Sequence, residues 1–283
     1  MDADPRIDRT KPHSARVWNY LLGGQDNYDV DREAGDTLLR VFPDFAQVAT
    51  LQREFLRRAV TYLVTEAGIR QFLDIGSGLP TADNTHEVAQ RLAPESRVVY
   101  VDNDPLVLVH ARALLAGTPE GRTAYVEADV RDPETILAAA AETLDFSRPI
   151  GLMMLSIAGQ IPDDGLAADL VRRYVAALPP GSHLALSDGA DVNPSLVAAV
   201  SSYNERAAFP YTLRSPERLA VHFAGLELVD PGVVSTPLWR PPAGAPPQPA
   251  VINAGWGGGR QTRTRVRGGW AGAAGGGVVR WLL

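Results

Sequence analysis

The chain has 283 residues, 45% of them hydrophobic and 21% charged, enough for one α/β domain of roughly 200–250 residues with an extension. It contains no cysteine, which excludes disulfides, thiolate metal sites and cysteine nucleophiles. The net charge is -6, but everything after Asp230 carries six arginines and no Asp, Glu or Lys. Taking those six away leaves residues 1–230 at -12, and so acidic a body argues against a nucleic-acid partner.

Five histidines (His13, His86, His110, His183 and His222) lie too far apart for a paired metal motif, so no metal site is expected. No apolar run reaches the roughly 18 residues of a membrane helix, and Met1-Asp2-Ala3-Asp4-Pro5 does not read as a signal peptide. The expectation is a soluble cytoplasmic protein with no membrane partner. Its oligomeric state is left open.

Residues 1–13 read as a loose arm. A helix over 14–22 follows, with Ser14 as its cap and Gly23-Gly24 as its stop. Residues 25–31 are rich in side chains that make polar contacts. Two further helices are expected at 32–41 and 45–67, the second with Val48, Leu51, Phe55, Leu56, Ala59, Tyr62 and Leu63 on one face. Together, residues 1–67 form an arm and a helical cap.

From Gly68 the chain alternates. Strands are expected at 70–75, 97–101, 123–127, 150–155 and 182–187, with helices at 84–93, 105–116, 133–143, 165–177 and 194–207. Strands that are apolar throughout suit a parallel sheet covered on both faces. Right-handed crossovers then place a ligand at the carboxyl ends of the strands. After a helix at 215–224, the short runs 226–229 and 232–235 are close enough to pair as an antiparallel hairpin. This domain, 68–242, gives way to a proline-rich linker and a tail, 243–283, whose lack of any period predicts disorder.

Asp74-Ile75-Gly76-Ser77-Gly78 ends the first strand on an acid and breaks into a glycine turn. A dinucleotide fingerprint would continue with glycine at 81, but Thr81 stands there, and Asp74 would be unhelpful beside a pyrophosphate. A carboxylate at that place suits a cationic or amine-bearing ligand. Asp102 lies 24 residues after Gly78, close to the spacing at which an acid grips ribose hydroxyls. Asp104 before Pro105 and Asp132 before Pro133 read as helix caps. Asp129 can accept from an exocyclic adenine amine while Val130 packs on the ring. Ser156 and Gln160 leave the fourth strand facing the crevice, while Asp163-Asp164 can cap the next helix. His86 reads as a surface residue, His110 as a helix flank and His183 as a satisfied, half-buried residue.

These segments together resemble class I S-adenosylmethionine-dependent methyltransferases. More closely, the chain is similar to a bacterial family of uncharacterised S-adenosyl methyltransferases. Arg16-Val17-Trp18-Asn19-Tyr20-Leu21-Leu22-Gly23-Gly24-Gln25-Asp26-Asn27-Tyr28 is the most specific part of a match running over about 12–242. The resemblance implies a doubly wound, mostly parallel, Rossmann-like seven-stranded sheet with a C-terminal antiparallel hairpin and an N-terminal helical cap. It implies S-adenosyl-L-methionine as cofactor. The turn from Asp74 through Gly76, Ser77 and Gly78 would approach methionine and ribose, with Asp102 on the ribose hydroxyls. Asn103, Asp129 and Val130 would frame the adenine, and Arg16 or Tyr20 would meet the methionine carboxylate.

A small-molecule acceptor is expected because the acidic body disfavours nucleic acid, with Asn27, Tyr28, Ser156 and Gln160 as its candidate contacts and no catalytic base nameable. The family often has lysine where Gln25 stands and a His-aromatic pair where Gly159-Gln160 stand. That second departure keeps a non-catalytic cofactor-binding protein in view, and a nucleotide-dependent oxidoreductase is the other alternative. The acid-free ending after about residue 243 has the composition that a shifted reading frame through G+C-rich coding sequence produces.

Overall fold

The computed structural model describes residues 6–107, 109, 117–245 and 256–257. Its centre is a parallel sheet of β1 (Gln71–Ile75), β2 (Arg97–Asp102), β3 (Arg122–Glu127), β4 (Gly151–Leu155) and β5 (His183–Ser187), in the order β3-β2-β1-β4-β5. The order reverses direction between β1 and β4, the switch point at which such sheets open a crevice. Register is set by pairs such as Ile75 with Val101 and Asp102 with Glu127.

Alternate strand residues go to opposite faces. Leu73, Ile75, Val99 and Val101 pack with α5 (Pro133–Ala140) and α6 (Asp164–Ala177). Phe72, Val98 and Tyr100 pack with α3 (Phe45–Thr65) and α4 (Thr85–Leu92). Both faces are therefore covered, which is why β1, after Gln71, reads as an apolar run broken only by its acid.

A third cluster joins α1 (Ser14–Leu21), α2 (Asp29–Val41), the start of α3 and α7 (Pro194–Asn204) through Val17, Leu38, Phe45 and Leu196. Of the segment 1–67 expected as an arm and cap, α1, α2 and the start of α3 meet here with α7, while the rest of α3 packs on the sheet. The docking of this cap is electrostatic as well as apolar. Buried Arg16 lies with Nε 3.6 Å from both Asp31 and Asp104 and donates to the carbonyls of Asp8 and Lys11. His13 Nδ1 is 3.1 Å from the same Asp104 carboxylate. The cap is thus tied to the residue two beyond the end of β2.

Several expectations are corrected. The cap of α1 is His13, whose Nδ1 accepts from the Ala15 N–H, and Ser14 is already helical. Of the helix expected at 105–116, residues 105–107 and 109 are helical, while the rest, His110 included, lies outside the described residues. His86 is buried, not on the surface, because Tyr100 Oη bonds both its N–H and its ring Nδ1.

The largest difference is the seven-stranded sheet. Among the described residues the parallel sheet has five strands, and no ladder forms at 226–229, where Leu226 and Val229 instead pack onto the two cores. The antiparallel ladder pairs β6 (Val234–Ser235) with β7 (Trp256–Gly257), the latter inside the stretch expected to be a disordered tail. Residues 246–255 and 258–283, and the expectations placed on them, lie outside the described residues. No helix among the described residues is long and apolar enough to cross a membrane.

The segment after β6 closes one face of the sheet. Trp239, 2% exposed, meets Phe55 and Tyr62 edge-on at 5.6 and 5.8 Å. Arg58 holds it there by donating to the Thr236 and Trp239 carbonyls. Replacing Trp239 with Ala removes a whole aromatic from a packed site and is expected to cost about 3–5 kcal/mol in urea unfolding. A loss below about 1 kcal/mol would show that this segment is not part of the core.

Candidate functional site

One cavity joins the carboxyl ends of the strands to the helical cap. Asp74, from within β1, Asp102, at the end of β2, Asp129, after β3, and Asp188, after β5, all contribute to its wall. They converge because every strand of a parallel sheet points the same way.

Asp74 is buried, and its carboxylate accepts from Thr85 Oγ at 2.6 Å, at the first residue of α4. Burial raises its pKa to about 6, while the Thr85 bond and the nearby Arg53 charge act to lower it. Gly76 and Gly78 adopt φ of 75° and 66°, which glycine alone takes without strain. A Cβ at Gly76 would also meet the Ile157 side chain at 2.6 Å, whereas one at Gly78 would meet nothing within 4 Å, so close packing adds to the backbone requirement at Gly76 alone.

Asp102 holds this turn in place: Oδ2 accepts from the Gly78 N–H at 2.8 Å and Oδ1 from the Asp104 N–H at 3.0 Å. Burial raises its pKa, against the opposing pull of those two N–H groups. Each carboxylate oxygen has about two acceptor sites, so one remains on each for a ligand. Asp104 caps the following helix through the Leu106 N–H, and Asp132 caps α5 through the Thr135 N–H, both as expected.

On the far side of β2, Asn103 and Val130 line the cavity. Asp129 does too, but its carboxylate is met by Arg131, whose Nη1 lies 3.0 Å away and whose Nη2 donates to the Gln160 carbonyl. Ser156, with φ of 60°, and Gln160 also line the wall. Ser77 and Gln160 each keep a buried side-chain oxygen without a partner among the described residues.

Four expected residues are not among those lining the cavity: Arg16, Tyr20, Asn27 and Tyr28. Arg16 is the cap's tether, and Tyr20 Oη donates to Asp36 at 2.6 Å. Asn27 donates to Asn19 and to the Gly24 carbonyl, and Tyr28 lies under the Arg9 and Arg16 guanidinium groups. The helical period explains the miss. Arg16 and Tyr20 are four residues apart and share the stripe of α1 turned away from the cavity, while Trp18 and Leu22 share a facing stripe.

Other residues escaped the sequence reading. Asp188 follows a strand just as Asp102 and Asp129 do, so the same strand-end rule could have found it. It is 1% exposed; Oδ2 accepts from the Gly159 N–H at 2.8 Å, and Oδ1 accepts from Tyr211 Oη and the Gly189 N–H. Burial raises its pKa to about 6. Gln52, which donates to Ser187, and Arg53, which donates to the Ala82 and Asp83 carbonyls, were hidden among the apolar positions of α3.

The raised pKa of Asp74 has a defined consequence for stability. A carboxyl at 3.8 in the open chain and near 6 in the fold binds more proton when folded. Its contribution is therefore most favourable below pH 4 and is lost as pH rises to 6. Asp74→Asn lacks this penalty, so its stability relative to the parent should rise by up to about 3 kcal/mol between pH 4 and pH 7. Parallel urea titrations at the two pH values measure it, and an unchanged difference would mean that the buried carboxylate is compensated.

The profile of a family described as S-adenosyl methyltransferase matches residues 1–268, further than the Pro242 limit read from the sequence. A crystal structure of a DUF574 family protein from Streptomyces avermitilis is 46% identical, covering 91% of this chain and 100% of its own with a TM-score of 0.87. That of a candidate methyltransferase from Thermobifida fusca is 40% identical, covering 92% and 98%, with a TM-score of 0.84. Among curated proteins there is no match. With its cavity at the strand ends and a family profile spanning nearly all of its length, the chain belongs to the S-adenosyl methyltransferase family.

Proposed function

We propose that the protein binds S-adenosyl-L-methionine in this cavity and transfers its methyl group to a small-molecule acceptor. The observation that carries the reading is Asp102, a buried strand-end carboxylate that already holds the glycine turn and keeps one acceptor site on each oxygen for the two ribose hydroxyls. Asn103 and Val130 would flank the adenine, and Asp129 would accept from its amine once Arg131 shifts its grip. Gly76 and Gly78 leave the backbone bare beside the methionine portion. Asp74 lies where a cationic ligand offsets the cost of a buried carboxylate. Of the cations lining the cavity, Arg131 is engaged with Asp129, so Arg53, rather than Arg16, would meet a ligand carboxylate.

When bound, the cofactor supplies a methyl group on a sulfonium, so the protein has mainly to align the acceptor and exclude water. Residues 14–67 act as the cap that does the excluding, and 68–242 as the cofactor-binding unit. Asn27 and Tyr28 then support the cap instead of touching the acceptor, while Ser156 and Gln160 remain at the wall.

Gly159-Gln160 in place of a His-aromatic pair favours a second reading, a cofactor-binding protein without turnover. Demethylated cofactor accumulating with any acceptor separates the two. The oxidoreductase alternative is disfavoured by Thr81, where a dinucleotide fingerprint needs glycine, and by Asp74, unhelpful beside a pyrophosphate.

Calorimetric titration tests the cofactor site directly. S-adenosylmethionine and its demethylated product should both bind, and Asp102→Ala should weaken each by about 1–3 kcal/mol, the cost of severed buried hydrogen bonds. Folded protein that binds neither ligand would reject the proposal.

A further inference from the structure

The cavity has two chemically different walls. Its strand-end wall carries Asp74, Asp102, Asp129, Arg131 and Asp188, together with Arg53, which reaches it from the third turn of α3 beside Asp74. The opposite wall is built by α1, α2, α7, the first turn of α3 and residues 209–213. Among the described residues, the lining side chains from these segments include no Asp, Glu, Lys or Arg. Trp18, Phe45, Val48, Val200, Phe209 and Leu213 represent it, and most of them belong to the third hydrophobic cluster. An ion seated there would lose its water without gaining a partner.

Tyr211 joins the two walls. Its ring packs against the third cluster, while its hydroxyl donates to Asp188. It reaches that carboxylate because position 159 is glycine: a Cβ there would meet the Tyr211 ring at 2.4 Å and Asp188 Oδ1 at 2.8 Å. The two donors on Asp188 Oδ1, Tyr211 and Gly189, fill that oxygen. Among the described residues, Oδ2 accepts only from Gly159, which leaves one acceptor site for a ligand.

From this geometry we infer that the methyl acceptor is an uncharged, largely apolar molecule carrying one O–H or N–H nucleophile, its body on the helical wall and its protic head donating to Asp188. The inference rests on the cofactor reading above and goes beyond it by naming the acceptor class. In the transfer, the acceptor oxygen or nitrogen forms the new bond to the methyl carbon, and the carbon–sulfur bond breaks with its pair staying on sulfur. The proton of the acceptor passes to Asp188 Oδ2. That carboxyl, with a pKa raised to about 6 by burial, is a stronger base than an open-chain aspartate.

The test is calorimetry on the full chain saturated with S-adenosylhomocysteine, using 2-naphthol and 2-naphthoate as probes. Saturation itself is the control: if S-adenosylhomocysteine does not bind, the cofactor reading falls before the acceptor class is addressed. With it bound, 2-naphthol should bind and 2-naphthoate should bind at least tenfold more weakly. Asp188→Asn should weaken 2-naphthol at least tenfold, and Val48→Glu, at a half-buried wall position, should do the same. Both variants should hold S-adenosylhomocysteine within about twofold, which also reports that they fold. Equal affinity for the two probes, no binding of 2-naphthol, or indifference to both substitutions would overturn the inference.

Discussion

The site depends on the burial of carboxylates at the ends of parallel strands. Because β1, β2, β3 and β5 all run the same way, four acids meet around one cavity: Asp74, Asp102, Asp129 and Asp188. Charges that close repel one another and resist leaving water, and three of them have raised pKa values with burial as the first cause. What keeps them tolerable is a set of donors fixed by the backbone: Thr85 at the start of α4, the Gly78 and Asp104 N–H groups, and the Gly159 N–H. A ligand that is positively charged, or that brings hydroxyl and amine donors, completes the arrangement.

The cap is anchored to the same turn. Arg16 and His13 both reach Asp104, which lies two residues beyond Asp102 and donates its N–H to the Asp102 carboxylate. Arg16 and His13 of the helical segment and the Asp102 carboxylate at the strand end are therefore joined through one residue, Asp104. Asp31, fully buried, completes the tether by accepting from the His13 and Tyr28 N–H groups. A cap held in this way adds a helical wall to the crevice at the switch point.

How far the molecule was legible follows the range of the interactions involved. The five parallel strands could be read because each is a local apolar run, and Asp102 because its spacing from Gly78 is fixed by one strand-helix-strand unit. Asp188 obeys the same rule but lies outside any glycine motif, so nothing marked it. Contacts that depend on which side of a helix faces inward were less legible: Arg16 and Tyr20 stand in the most recognisable segment, half a turn away from the residues that line the cavity. The pairing of β6 with β7 could not be read, since two-residue strands 20 residues apart carry no local pattern, whereas 226–235 offered a closer but unused partner. His86 was misread because its partner, Tyr100, is supplied by a neighbouring strand.

Gly159 bears on whether the departure from the family pattern is a loss. A side chain at this position and the Tyr211 ring cannot occupy the same space, since even a Cβ would approach the ring to 2.4 Å. The choice is therefore between a polar side chain delivered from the loop after β4 and one delivered from the segment after α7. In this chain the second arrangement places a phenol hydroxyl, a backbone N–H and a buried carboxylate within hydrogen-bonding reach of each other. Two donors fixed on one oxygen hold the Asp188 carboxylate in a single orientation, as a lone side chain from the loop would not be held. Substituting glycine for a bulky residue here is then the condition for a different polar centre, because only the missing side chain lets Tyr211 reach Asp188.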